Sequence, residues 1–231
     1  MSAHQPAYLP WLGYFGKIAG ADLFVLHDRS PIGRRNGLNS NVILTANGPL
    51  TLTVPLSGAD VRSKRPLDEI RVVDDGWRRR HWRALQTAYG RAPYFDLHRD
   101  FLADYYTRDH ETLDAVCVPV IEYCAAAFGL STPLRRLSEL GLPPVDRQTV
   151  IPALCERFGA RRFLAGPHAA DYLDWDLMKR HGLTVDLFHY RHPTYPQMHR
   201  GSATFVSHLS ALDLLMNCGP RAADLLKGSV G

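Results

Sequence analysis

Lysine and cysteine are both scarce in this chain, with four of each among 231 residues. Cys117, Cys124, Cys155 and Cys218 form no CxxC pair, which argues against a disulfide framework and against a closed zinc site. Cys117 and Cys124 fall on one apolar helical stripe, so both should be buried away from any base and unsuited to a nucleophilic role; Cys218, beside Asn217 at an expected helix end, is the one thiol left open. Long apolar runs are missing as well. No window approaches the roughly 18 consecutive apolar residues of a membrane helix, and no basic leader precedes an apolar segment, so a soluble cytoplasmic protein with no membrane partner is expected. Charge of one sign is not in excess: 27 Lys and Arg against 23 Asp and Glu leave a net +4, which does not demand a nucleic-acid ligand. With so few lysines the cationic surface is mostly arginine, whose planar fork grips carboxylate or phosphate in a bidentate way.

What remains is ordinary globular composition, 45% hydrophobic and 22% charged, with no repeat or low-complexity tract, and it reads as one domain over residues 1–231. Ala21 to His27 is a short apolar run between Gly20 and Asp28, the mark of a buried strand. Asn41 to Thr45 and Leu50 to Leu56 are joined by Ala46-Asn47-Gly48-Pro49, which predicts a hairpin. Trp77, His81, Leu85 and Tyr89 recur every four residues, and Leu113 to Cys124 carries a second stripe, so helices should occupy about residues 76–128. Beyond them a helix near 146–158, a strand at Arg162 to Ala165, a helix over 172–180 and a strand at Thr184 to Tyr190 alternate. That pattern predicts an α/β fold with a mixed β-sheet, flanking helices and a helical middle segment. Ser210 and Asp213 read as a capping box opening a last helix that Gly219-Pro220 ends.

Two stiff loops stand out. His4-Gln5-Pro6-Ala7-Tyr8-Leu9-Pro10-Trp11 packs imidazole, amide and aromatic groups between prolines that fix φ, and His192-Pro193-Thr194-Tyr195-Pro196-Gln197 repeats that composition near the other end of the chain. The two are expected to face one pocket. Imidazole exchanges protons near neutral pH, which makes His4 and His192 the candidate bases. A polar cluster, Asp28, Arg34, Arg35, Asn36, Asn39 and Asn41, follows the first strand, where ligand sites of α/β folds tend to lie. Other apparent motifs fall away. Gly13-Tyr14-Phe15-Gly16-Lys17 lacks the spacing of a phosphate loop and reads as a helix of small and aromatic contacts. Asp171, Asp174 and Asp176 lack the Gly and Glu of a calcium loop, and His189 and His192 do not share a strand face, so no metal or other cofactor is expected.

Taken together, His4-Gln5-Pro6-x-Tyr8-Leu9-Pro10-Trp11-x-Gly13-x-Phe15, Asp22-x-Phe24-Val25, Asn39-x-Asn41, Leu52-Thr53-Val54-Pro55, Trp77 with His81, Tyr89-x-x-Ala92-Pro93-Tyr94-Phe95, His192-Pro193-x-Tyr195-Pro196-Gln197 and Leu209-Ser210-x-x-Asp213 resemble the WbqC-like family over nearly the whole chain. The segment Asn36-Gly37-Leu38 departs from the usual pattern. The resemblance implies a bacterial protein of O-antigen or natural-product biosynthesis that transfers an amino acid such as glycine. An acyl carrier (a carrier protein, coenzyme A or aminoacyl-tRNA) and a small-molecule amine or hydroxyl acceptor would be its partners, and a homodimer is compatible with the sequence. Such transfer needs a base for the nucleophile and donors for the oxyanion. His4 or His192 suits the base, with Asp28 to orient it. Gln5, Tyr8, Arg35, Asn39, Asn41, His81, Tyr195 and Gln197 are the candidate substrate-binding residues, Arg35 for a carrier's phosphate. A non-catalytic binder of a phosphorylated, sugar or carrier-linked ligand and a metal-assisted hydrolase are the alternatives.

Overall fold

The computed structural model describes residues 1–33, 37–143, 146–199 and 204–228. Strand β1 (Ser2–His4) leads through α1 (Leu12–Ala19) to β2 (Phe24–Leu26), and a hairpin of β3 (Ser40–Thr45) and β4 (Gly48–Thr53) follows. Next come α2 (Gly58–Arg62), α3 (Trp77–Tyr89), α4 (Phe95–Thr107) and α5 (Leu113–Ala127), then β5 (Leu134–Arg136), α6 (Val150–Phe158), β6 (Arg162–Ala165), α7 (Trp175–Arg180), β7 (Thr184–Leu187), α8 (Ala211–Cys218) and α9 (Ala222–Lys227). The fold is α/β, with parallel and antiparallel pairing segregated into two sheets. Five strands in the order β5-β2-β1-β6-β7 form a sheet that is parallel throughout, and the hairpin stands as a two-stranded sheet of its own. Among the described residues no helix is long and apolar enough to cross a membrane.

Side-chain alternation along the strands assigns the two faces of the large sheet. Phe24 and Leu26 join a core built with α1, α3, α4, α5, α8 and the hairpin, whereas Val25, Phe163 and Ala165 join a smaller core with Leu154 of α6 and Met178 of α7. Ser2 pairs in register with Phe24 and His4 with Leu26, so His4 lies on the face that α1 covers. Gly16 of α1 permits a close approach there: a Cβ at that position would meet the Tyr190 and Phe188 rings at 2.9 and 3.2 Å. The expected helix of small and aromatic contacts is therefore present.

Connections from β1 run outward to β2 and β5, and the chain then crosses to the opposite side for β6 and β7. The strand order thus reverses between β1 and β6, and crevices at the carboxyl ends of such strands are the usual ligand sites of open α/β sheets. Pairing across this joint is brief, with Ser2 opposite Leu164 as its registered pair, reinforced by Ser2 Oγ donating to the Leu164 carbonyl at 2.7 Å.

Helix α8, which α9 follows, differs from the capping box expected at Ser210. Ser210 Oγ accepts from the Leu212 amide, but the Asp213 carboxylate does not reach back to Ser210; it points into the core.

Candidate active site at the sheet switch point

His4 closes β1 at the carboxyl edge of the sheet. Its Nδ1 lies 3.0 Å from the Gln5 carbonyl, an acceptor only, so Nδ1 carries the proton and donates. The neutral ring then presents a lone pair at Nε2. Part of the ring is open to solvent, while protein surrounds the rest, Tyr14 edge-on at 5.1 Å between centroids. Desolvation, then the Lys17 ammonium, lower the His4 pKa to about 4, so the imidazole is neutral at pH 7.

Around His4 lie polar groups with few partners. Lys17 of α1 is only 5% exposed, and its Nζ donates to the Ala3 carbonyl at 2.8 Å. The Tyr14 hydroxyl and His27 Nδ1 are buried without a hydrogen-bond partner among the described residues. Burial holds the Tyr14 phenol protonated and lowers the His27 pKa, against the opposing pull of Asp28.

Asp28 does not orient either histidine. Its carboxylate accepts from the Ser138 amide at 2.9 Å and from Ser138 Oγ at 2.5 Å, with Arg136 Nε 3.7 Å away. Arg136 also ion-pairs with buried Asp114, so Asp28 belongs to a charge network tying β2 to the residues after β5. The orienting role expected of Asp28 at His4 passes to the Gln5 backbone.

Nor does His192 present a free base. Its Nδ1 donates to the Pro193 carbonyl at 2.8 Å, and its Nε2 accepts the His208 amide at 3.2 Å. That bond steadies His208 at φ 61°, a left-handed conformation unusual for a residue with a side chain. The opening loop reaches residues that flank the second loop: the Trp11 ring stacks on His208 at 5.2 Å and meets Tyr190 edge-on at 5.4 Å, and both of these rings in turn lie against His192. His192, however, lines a separate cleft of about 430 Å³ with Arg191 and Arg221.

Most of the remaining candidates hold the scaffold. The Tyr8 hydroxyl lies 2.8 Å from His81 Nδ1 and 2.6 Å from the Tyr106 hydroxyl, deep in the core, and burial lowers the His81 pKa to about 4. Gln5 Nε2 donates to Ser30 Oγ and the Pro31 carbonyl. Asn39 Nδ2 donates to the Val54 carbonyl. Asn41 Nδ2 donates to the Leu9 carbonyl at 2.5 Å, fastening the opening loop where Leu9 takes φ 46°. Tyr195 and Gln197 donate to buried Asp213. These amides therefore serve backbone and core groups rather than an oxyanion. Arg35 lies outside the described residues. Cys218 is buried, which raises its thiol pKa. Among the described residues no three His, Cys, Asp or Glu side chains converge to hold a metal ion.

The family to which this architecture belongs is shown by comparison. The model of the WbqC-like protein family matches residues 5–225. This chain belongs to the WbqC-like family. Rv1507c, an uncharacterised protein of Mycobacterium tuberculosis, is 31% identical over 226 residues, which span 96% of this chain and 95% of that protein. No solved structure matches. In this WbqC-like chain the motif beginning at His4 starts on the last residue of the central strand, Ser2–His4. Sequence reasoning passed over Lys17 and His27; a lone lysine inside the otherwise apolar helix Leu12–Ala19 was the available signal.

Proposed function

We propose that the chain is an acyltransferase that moves an amino-acid or related acyl group from an activated carrier to an amine or hydroxyl acceptor, with His4 as general base. The observation that carries this reading is the His4 ring: neutral, open at one side, and fixed by the Gln5 carbonyl so that Nε2 offers a lone pair at the sheet switch point. In the step envisaged, His4 Nε2 takes the proton of the acceptor as its nitrogen or oxygen attacks the acyl carbonyl. The bond to the carrier then breaks, and the leaving thiol or hydroxyl recovers the proton from His4. A positioned base of this kind contributes about 10²- to 10⁴-fold. Carrier protein, coenzyme A and aminoacyl-tRNA are the donor classes that fit such chemistry.

Intact-mass analysis of products, with glycyl and other aminoacyl donors on each carrier class and simple amine acceptors, tests the assignment. Donor-dependent product is expected from the wild type, with turnover at least about 10²-fold lower in His4→Ala and no mass gain on the protein. Wild-type turnover in His4→Ala would overturn the role of His4. Absence of product from every intact donor, with ligand affinity retained in His4→Ala, would instead favour a binding protein.

A further inference from the structure

We infer that Lys17 marks an anion-binding subsite at the split between β1 and β6, one that takes the carboxylate or phosphate of a small ligand lying against His4. The argument starts from the sheet. Ser2 pairs with Leu164, and Leu164 N–H donates to the Met1 carbonyl, so the next carbonyl of β1 directed at β6 is that of Ala3. A continued parallel ladder would satisfy it from β6. Instead the Lys17 ammonium enters from α1 and donates to it at 2.8 Å. On the far side the backbone is open: a Cβ at Gly166, just beyond β6, would meet no atom within 4 Å.

Among the described residues the ammonium in this split has no counter-ion. An ammonium has three N–H donors, and burial of a charge is expensive unless it is paired. Among the described residues no carboxylate lies within ion-pairing distance of Lys17, which is 5% exposed, and Asp28, the buried acid of the adjoining strand end, is held by Ser138 and Arg136. Its pKa is lowered to about 8 by desolvation with no acid opposing the shift, so the group remains mostly cationic at pH 7. The other titratable groups in its surroundings are His4 and His27, both held neutral by burial, and protonated Tyr14. A surplus positive charge near the open backbone at Gly166, with two of its donors unassigned, matches an oxyanion in the ligand. Such an anion also stabilises protonated His4, so binding there raises the His4 pKa.

This subsite shares its crevice with the transfer reaction but does not depend on it, since the test is equilibrium binding. Full-length protein carrying 15N-labelled histidine is titrated with inorganic phosphate and, separately, with acetate while the His4 ring signals are followed. One or both probes are expected to shift His4 saturably in the millimolar range and to move its acid midpoint upward. Phosphate acting alone assigns a phosphate ligand, and acetate acting alone a carboxylate. Lys17→Met, which matches the stem without the charge, is expected to bind at least about tenfold more weakly. Should that variant fail to fold, Lys17→Arg keeps the charge on a broader head and is expected to bind with altered preference between the two probes. A His4 ring indifferent to both probes, or unchanged binding in folded Lys17→Met, overturns the subsite. Lost transfer in His4→Ala with anion binding intact would leave it standing.

Discussion

Two polar regions of this molecule use the same kinds of side chain to opposite ends. Around Asp213 every group is answered: Tyr89 donates to Oδ1 at 2.9 Å, Tyr195 and Gln197 to Oδ2 at 2.9 and 3.2 Å, and Gln197 also exchanges hydrogen bonds with both backbone groups of Val206. Around His4, among the described residues, the Tyr14 hydroxyl and His27 Nδ1 have no partner and Lys17 has no counter-ion. A saturated buried network fastens a fold, because each member would be left unpaired by loss of another. An unsaturated one leaves valence for something else to fill. Polar residues in a core thus divide by what remains unmade rather than by residue type.

Removing the hub of the saturated region should have the largest effect. Asp213→Ala leaves two tyrosine hydroxyls and an amide without their acceptor, and stability is expected to fall by about 3–5 kcal/mol, read as a lower urea midpoint. Asp213→Asn retains an acceptor and should lose much less. Equal losses in the two variants would break the claim that hydrogen bonding, rather than shape, is what this region supplies. Tyr8→Phe deletes the hydroxyl between His81 and Tyr106, with an expected loss of about 1–3 kcal/mol by the same measurement. In contrast His4→Ala should shift stability by no more than about 0.5 kcal/mol, since the ring is partly open and bonds only its neighbour's carbonyl.

A pH experiment sharpens the contrast. Burial lowers the His4 pKa from 6.5 to about 4. The unfolded chain therefore takes up a proton as pH falls through 6.5 while the folded chain does not, so the His4 contribution to stability declines between pH 6.5 and 4 and is constant above that window. As a base, His4 must be unprotonated, and with its pKa lowered the acid limb of kcat/KM is expected below 6.5. A pH–rate profile with its acid limb at 6.5 would show the working base to be a histidine in an ordinary environment.

Much of the scaffold was legible in the residues themselves. Strand β6 was found to the residue at Arg162–Ala165, and the β3–β4 hairpin follows from its Asn-Gly turn, because both signals are local. Strand β1 was not legible. Ser-Ala-His has no apolar alternation, and it becomes the central strand only through partners at Phe24 and Leu164. The same distance hid the partners of Asp28: Ser138 lies 110 positions away, so a carboxylate placed beside a histidine in the sequence turned to a serine in space. His4 itself was visible from its setting among prolines. Lys17 was overlooked because a lysine in a helix is ordinarily solvated, and only the fold shows that this one has no polar face to occupy.

The reversal of strand order at β1 also has a bearing on how the crevice comes into being. Ser2 meets Leu164 across 162 positions, so the strand that bears His4 is made well before one of its two neighbours. Until then one edge of β1 is unpaired, and long-range parallel pairing is slow. Ribosomal synthesis supplies residues at about 5–20 per second, which leaves that edge bare for many seconds. The β1–β6 joint thus closes late during biosynthesis, and a chain arrested before β6 would carry the His4 motif without the strand that flanks it.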